Sequence, residues 1–190
     1  MRVSALQLAA WIELLVCWIV WSAAFIRPSR QAKRQEKAVR APSSRWGIAL
    51  VTVGFALVWM WVKPPAFEKS VTSLIVSMVL GPPSVLLAWA ATRELGKQWR
   101  YEAALIEDHE LIQTGPYRWI RHPIYTSMFG MLMATGAACT WWPMWIAGAA
   151  FFVAGTEIRV RAEDRLLAER FQQRFQTFRK GVPAYIPFLR

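Results

Sequence analysis

Apolar residues gather into five runs along this chain, at roughly residues 4–26, 46–62, 71–91, 123–139 and 142–156. Each is near or somewhat below the ~20 residues with which a helix crosses a bilayer. The pattern predicts an all-α integral membrane protein with about five transmembrane helices. Only Thr140-Trp141-Trp142-Pro143 separates the last two runs, and Pro143 suits a first helical turn, so these should form a short, tight antiparallel hairpin. Pro82 and Pro83 fall inside the third run, where their missing N–H groups should kink or split the helix. From about Thr156 to Lys180 the pattern changes. Leu167, Phe171, Phe175 and Phe178 recur at three- and four-residue steps among charged residues, which predicts an amphipathic helix leaving the membrane. Val182-Pro183-Ala184-Tyr185-Ile186-Pro187-Phe188 reads as an extended strap. The chain thus divides into three N-terminal membrane helices over 1–91 and a region 92–190 holding a linker, the hairpin, the C-terminal helix and the strap.

Charge adds an orientation. The chain is 55% hydrophobic with 12 Trp, yet carries 23 Lys and Arg against 12 Asp and Glu, a formal charge of +11. A soluble nucleic-acid binder is rarely so apolar, so no nucleic-acid partner is expected. A membrane protein whose basic loops meet anionic membrane lipids fits both facts. The 27–45 loop holds Arg27, Arg30, Lys33, Arg34, Lys37, Arg40 and Arg45 against Glu36 alone, which makes it cytoplasmic. Threading from there puts the N-terminus and the Lys63-to-Ser70 loop outside, with residues 92–122 and the tail inside. The first run continues to Ile26 without a cleavage-site pattern and reads as a retained helix rather than a signal peptide. Cys17 and Cys139 lie in apolar runs without metal-ligand spacing, so free, buried thiols are expected.

The densest polar cluster is Gly115-Pro116-Tyr117-Arg118-Trp119-Ile120-Arg121-His122-Pro123-Ile124-Tyr125, at the mouth of the fourth run. Such groups are expensive near hydrocarbon unless they serve a ligand or a wet cavity. Gly115-Pro116 marks a turn where backbone can approach a ligand. Pro123 suits the first helical position, and the amides of that helix start would favour an anion. An interfacial belt of aromatics with snorkelling bases is the simpler alternative. Farther on, Arg159 and Glu163 share a helix face where the fifth run emerges. That spacing is commonly a surface ion pair, but at a membrane boundary the arginine can grip a carboxylate bidentately. Asp164, a quarter-turn round, is placed to cap or pair elsewhere. Glu13, the single acid of the first run, is an intramembrane candidate remote in sequence from these clusters.

Gly115-Pro116-Tyr117-Arg118 followed by Arg121-His122-Pro123-Ile124-Tyr125 resembles the C-terminal signature of the isoprenylcysteine carboxyl methyltransferase family. Glu94-Leu95-Gly96-Lys97-Gln98-Trp99 is similar to that family's preceding linker. Glu163-Asp164-Arg165-Leu166-Leu167 with Phe171 resembles its acidic pair, and Val182-Pro183 with Ile186-Pro187 its closing motif. The resemblance covers about residues 92–187. It implies S-adenosyl-L-methionine as cofactor, with contacts from Gln113, Gly115, Tyr117, Arg121, His122, Pro123 and Tyr125, and catalytic or substrate roles for Arg159 and Glu163. The implied partner is a lipophilic, prenylcysteine-like substrate entering from the bilayer. Two positions depart from the pattern: Asp164 replaces a glutamate, and Ala184 stands where arginine is frequent.

The implied reaction is workable, because a carboxylate attacks a sulfonium methyl without a general base. Arg159 would aim it, Tyr125 or Trp99 would face the cation, and the hairpin would admit the apolar tail sideways. The same Arg-His-Pro segment also resembles phospholipid N-methyltransferases, where Glu163 would serve as base. It resembles membrane sterol and enone reductases too, which use NADPH, although no glycine-rich phosphate fingerprint is present. A non-enzymatic membrane scaffold accounts for the charge and the aromatics but not for the polar cluster. These motifs fix neither the methyl acceptor nor an oligomeric state.

Overall fold

The computed structural model describes residues 4–26, 39–40, 44–62, 69–99, 104–105 and 110–185. Most of the basic 27–45 loop, most of the Lys63-to-Ser70 loop and the strap beyond Tyr185 lie outside the described residues. The described chain is helical: α1 (Ala5–Ala23), α2 (Ser44–Met60), α3 (Val71–Leu95), α4 (Pro123–Cys139) and α5 (Trp142–Gly181). A two-residue antiparallel ladder joins β1 (Val39–Arg40) to β2 (Ala104–Leu105).

By length and composition α1 and α3 are apolar enough to cross a membrane, and α2 is a shorter apolar helix. Their outer faces carry Leu8, Ile12, Leu15, Ile19, Val53, Ile75, Val79 and Leu86 exposed. So much outward apolar surface suits lipid rather than water. Ser4 caps α1, its Oγ accepting the Gln7 amide at 3.1 Å, and Ser70 caps α3 in the same way at Ser73.

Packing relies on small residues and side-chain hydrogen bonds, as expected where lipid removes the hydrophobic drive between helices. α1 packs on α3, α3 on α4, and α5 chiefly on α2. Trp18 Nε1 donates to Thr135 Oγ1 at 2.9 Å and Trp21 Nε1 to Ser127 Oγ at 2.7 Å, tying α1 to α4. Against α5, α2 brings its backbone into contact at two glycine pairs. A Cβ on Gly54 would stand 2.7 Å from the Gly148 carbonyl oxygen, and one on Gly47 2.6 Å from that of Gly155. A larger residue at either glycine would have to push the two helices apart.

Three expectations are refined. α3 is not split at Pro82-Pro83: it runs unbroken to Leu95, beyond the apolar run. The fifth run and the amphipathic tail form one helix of 40 residues, interrupted at Gln172 by φ 45° and ψ −119°. Only Thr140 and Trp141 join α4 to α5, and the main partner of α5 is α2 rather than its neighbour in sequence. Cys17 and Cys139 are free and buried, as expected.

The helices define two ends. At one, Val62 bridges Thr140, Trp61 meets Trp141, and Lys69 Nζ donates to the Thr140 carbonyl. At the other lie the end of α1, the start of α2, the end of α3, the start of α4 and the middle of α5, with Phe25 against Trp99 and β1 against β2. The polar cluster sits at this second end.

Candidate functional site

Gly115, at φ +57°, opens a short 3-10 turn over Gly115–Arg118. A Cβ there would stand 3.1 Å from the Glu94 carboxylate, which also accepts the Thr114 hydroxyl. The turn delivers Arg121 and His122 to the start of α4, where Pro123 opens the helix. The interruption at Gln172 precedes a final turn-back that buries Phe175. The described strap residues then close on the cluster. The Arg121 amide donates to the Pro183 carbonyl at 2.8 Å, the His122 amide to Ala184 at 3.0 Å, and Arg121 Nε to Val182 at 2.9 Å. Thr126 Oγ1 donates to the Tyr185 carbonyl and the Tyr185 hydroxyl to Glu157. The strap carbonyls therefore take the two amides that precede α4.

Their side chains meet the acidic pair of α5. Arg121 Nη1 is 2.6 Å from Asp164 Oδ2. His122 is held on both sides, with Nε2 3.0 Å from Asp164 Oδ1 and Nδ1 3.3 Å from Glu163 Oε2. Both ring nitrogens thus face carboxylates, which favours the imidazolium with two N–H donors. Burial alone would lower the His122 pKa, but the hydrogen bonds and charges of Asp164 and Glu163 raise it above the ordinary value. Burial would likewise raise both acids, and His122 outweighs it, so Glu163 and Asp164 are held below their usual range. A second relay joins this one: Arg159 Nε donates to the Tyr125 hydroxyl at 2.8 Å, and that hydroxyl donates to Glu163. Buried Tyr117 lies below; burial, with Glu163 and Glu94 adding to it, pushes its phenol well above the usual range.

These groups line one cavity of about 900 Å³. Its polar end holds Arg121, His122, Tyr125, Arg159, Glu163 and Asp164, with Gln98, Glu110 and Tyr117 beside them. Its apolar end is a lane between α1 and α2. Ile48, Thr52, Phe55 and Trp59 line it from α2, a stripe about 16 Å long at the rise of an α-helix. Trp18 and Trp21 face them from α1, Trp18 meeting Phe55 at 5.9 Å and Trp59 at 5.3 Å. The lane thus runs between the first two helices, and the hairpin's first helix adds Ile124 and Met128 to the lining. On the other side of α2, the glycine contacts bring it tight against α5.

Of the residues expected to bind cofactor, Tyr117, Arg121, His122 and Tyr125 line the cavity, as do Arg159 and Glu163. Pro123 is buried and fixes the helix start without lining it. Gln113 and Gly115 are exposed and stand apart from the lining. Glu13 is half-buried on α1, away from the cavity. Sequence reasoning undervalued Asp164, the partner of both Arg121 and His122. It also missed Gln98, which is buried with its side-chain carbonyl accepting the Glu110 amide at 2.8 Å. A polar residue beside Trp99 just before the cluster was the available signal.

A charged, hydrogen-bonded centre at the head of an aromatic lane, held by lipid-facing helices, fits a helical membrane protein. A model of the isoprenylcysteine carboxyl methyltransferase family matches residues 74–169, half of the chain, and the chain belongs to that family. It is 32% identical over 80 residues to the nickel-cobalt-cadmium resistance protein NccN of Alcaligenes xylosoxydans xylosoxydans, a stretch covering 42% of this chain and 37% of that protein. It is 23% identical over 107 residues to the uncharacterized protein YpbQ of Bacillus subtilis (strain 168), covering 56% and 60%. The chain thus aligns with less than two thirds of either of these curated relatives.

Proposed function

We propose that the protein is an integral membrane methyltransferase that uses S-adenosyl-L-methionine to methylate a carboxylate on a lipophilic, prenylcysteine-like acceptor. The observation that carries the reading is the charge at the head of the lane. Among the described residues, Arg121, Arg159 and a doubly held His122 meet Glu163 and Asp164 in one cluster. The basic side chains gathered there suit an anionic acceptor head, and the aromatic lane suits an apolar tail.

The residues at the polar end fit the cofactor. Gln98 and Glu110 offer polar atoms for a ribose or adenine, Arg121, braced with His122 by the acidic pair, suits its carboxylate, and Trp99 and Tyr125 present aromatic faces to a cation. When bound, the cofactor supplies an electrophilic methyl group on a sulfonium. Arg159 binds and aims the acceptor carboxylate, while Tyr125 and Glu163 hold Arg159 in place. Phe175 and Phe178 cover the polar end and exclude water. No side chain has to take a proton, since a carboxylate is already the nucleophile. An amine acceptor would need a base, and Glu163, held ionised by His122, is a poor one.

Family and helices are consistent with the alternating threading, with five crossings, the N-terminus outside, and the site and C-terminus on the cytoplasmic side. The pairing of β1 with β2 supports it, because it sets part of the basic loop beside the linker at the site end.

The test is calorimetric binding of S-adenosylhomocysteine to the purified protein and to a folded His122→Ala variant, followed by methyl transfer to an S-prenylcysteine acceptor with Arg159→Ala alongside. Micromolar binding lost in His122→Ala, and transfer lost in Arg159→Ala, are the expected results. A folded protein that binds NADPH and not S-adenosylhomocysteine would replace this reading with a reductase.

A further inference from the structure

The residues matched to the family begin at 74, yet one contact that shapes the site comes from α2, before that point. A Cβ on Gly47 would stand 2.5 Å from Arg159 Cγ, 2.6 Å from the Gly155 carbonyl oxygen and 3.2 Å from the Arg159 amide nitrogen. We propose that Gly47 is a positioning residue for Arg159: by lacking a side chain it leaves the space that the arginine stem fills, and so sets where the guanidinium stands in the cavity. The proposal rests on the reading of Arg159 as the group that holds the acceptor.

The position of the contact on the side chain decides its effect. Cγ lies next to the root of the arginine, so swinging the guanidinium cannot relieve a clash there. The whole side chain must change rotamer or α5 must move away. Either response pulls Arg159 Nε from the Tyr125 hydroxyl, 2.8 Å away, and with it the link to Glu163. Arg159 is itself only 7% exposed, which leaves it little alternative space.

The fold contains its own comparison. Seven residues along α2, a Cβ on Gly54 would meet the Gly148 carbonyl oxygen at 2.7 Å and the Phe152 amide nitrogen at 2.9 Å. The squeeze on helix separation is nearly the same, but the neighbouring side chain is apolar Phe152 instead of Arg159. Both glycines hold the helices together; only Gly47 touches the site.

The experiment uses the full chain in detergent with Gly47→Ala, Gly54→Ala and Arg159→Ala. It measures melting temperature, calorimetric affinity for S-adenosylhomocysteine, and kcat and KM for an S-prenylcysteine acceptor. Gly47→Ala should lower acceptor kcat/KM by about tenfold or more, the scale of a misplaced binding group, with cofactor affinity unchanged. Gly54→Ala should lower the melting temperature without that kinetic loss. Equal kcat/KM for the two glycine variants would overturn the proposal. Normal turnover by Arg159→Ala would instead overturn the role of Arg159 itself, an arm in which Gly47 is intact. If Gly47→Ala does not fold, the Gly47→Ala/Arg159→Ala double variant decides, because it removes Cγ. Recovered folded protein supports the contact, and no recovery means that the backbone of Gly155 and Arg159, not the arginine stem, sets the clash and sinks the idea.

Discussion

Asp164 Oδ2 stands 2.6 Å from Arg121 Nη1, in a pair whose side chains are 12% and 5% exposed. The two are 43 positions apart, so the contact fixes the start of α4 against the middle of α5. Removing one partner of a buried ion pair leaves the other charged without compensation, at about 3–5 kcal/mol. Asp164→Ala should therefore lower stability by roughly that amount, and by more than the loss of the exposed Arg161–Glu157 pair, for which ~0–1 kcal/mol is ordinary. Thermal unfolding of the two variants in the same detergent checks it; equal melting temperatures would mean that the pair contributes little.

Stability should also depend on pH, with a sign set by His122. Its pKa in the folded protein is raised above the ordinary 6.5 by Asp164 and Glu163, against burial. Its contribution is then complete below pH 6.5 and lost as pH rises through the raised value. Glu163 and Asp164 are lowered from 4.5 and 3.8, so theirs is present above those values and lost as pH falls through the lowered ones. Maximum stability is expected between about pH 4.5 and 6.5, with a decline on the alkaline side. His122→Gln should flatten that alkaline decline. A melting temperature that rises from pH 6.5 to 8 in the native protein would contradict this account.

How far these features were legible in the sequence follows from what each depends on. Apolar runs report lipid-facing helices directly, so α1, α2 and α4 were placed to within about three residues, while α3 overran its apolar run by four. Arg121, His122, Arg159 and Glu163 stood out because charge beside hydrocarbon is costly and their motifs are local. The role of Asp164 was hidden, since it depends on where the 3-10 turn delivers Arg121. The continuity of α5 was hidden too: a change from apolar to amphipathic pattern marks a change of surroundings, not of backbone. The apolar lane was the least visible, because Trp18, Phe55 and Trp59 read as ordinary lipid-facing aromatics until α1 and α2 are set side by side.

Tyr125 carries the link between Arg159 and Glu163 through one hydroxyl. Tyr125→Phe keeps the ring and its packing against Val160 and Ala184 while removing that oxygen. Hydrogen bonds to charged groups contribute about 1.5–3 kcal/mol, so kcat/KM for the acceptor should fall roughly 10- to 100-fold. Affinity for S-adenosylhomocysteine should stay within about threefold, a change of well under 1 kcal/mol. A large loss of cofactor affinity with acceptor kinetics intact would move Tyr125 from the acceptor side of the site to the cofactor side.

If the lane between α1 and α2 holds the acceptor tail, filling it should discriminate by chain length. Thr52 lies in the middle of the α2 stripe, exposed, with its hydroxyl bonded to the Ile48 carbonyl of its own helix at 2.9 Å. Replacing it by tryptophan removes no contact between helices, because the residue lines the cavity instead of the α5 interface, where Val51 and Gly54 point. Thr52→Trp should therefore leave melting temperature and cofactor affinity nearly unchanged. Acceptors with long apolar chains lose the burial beyond Thr52, at roughly 0.8 kcal/mol per methylene group, so their KM should rise tenfold or more while short-chain analogues are spared. The measurement is KM across a series of S-alkylcysteine acceptors of increasing chain length. A uniform change across the series would place the tail elsewhere and leave α1 and α2 as anchors only.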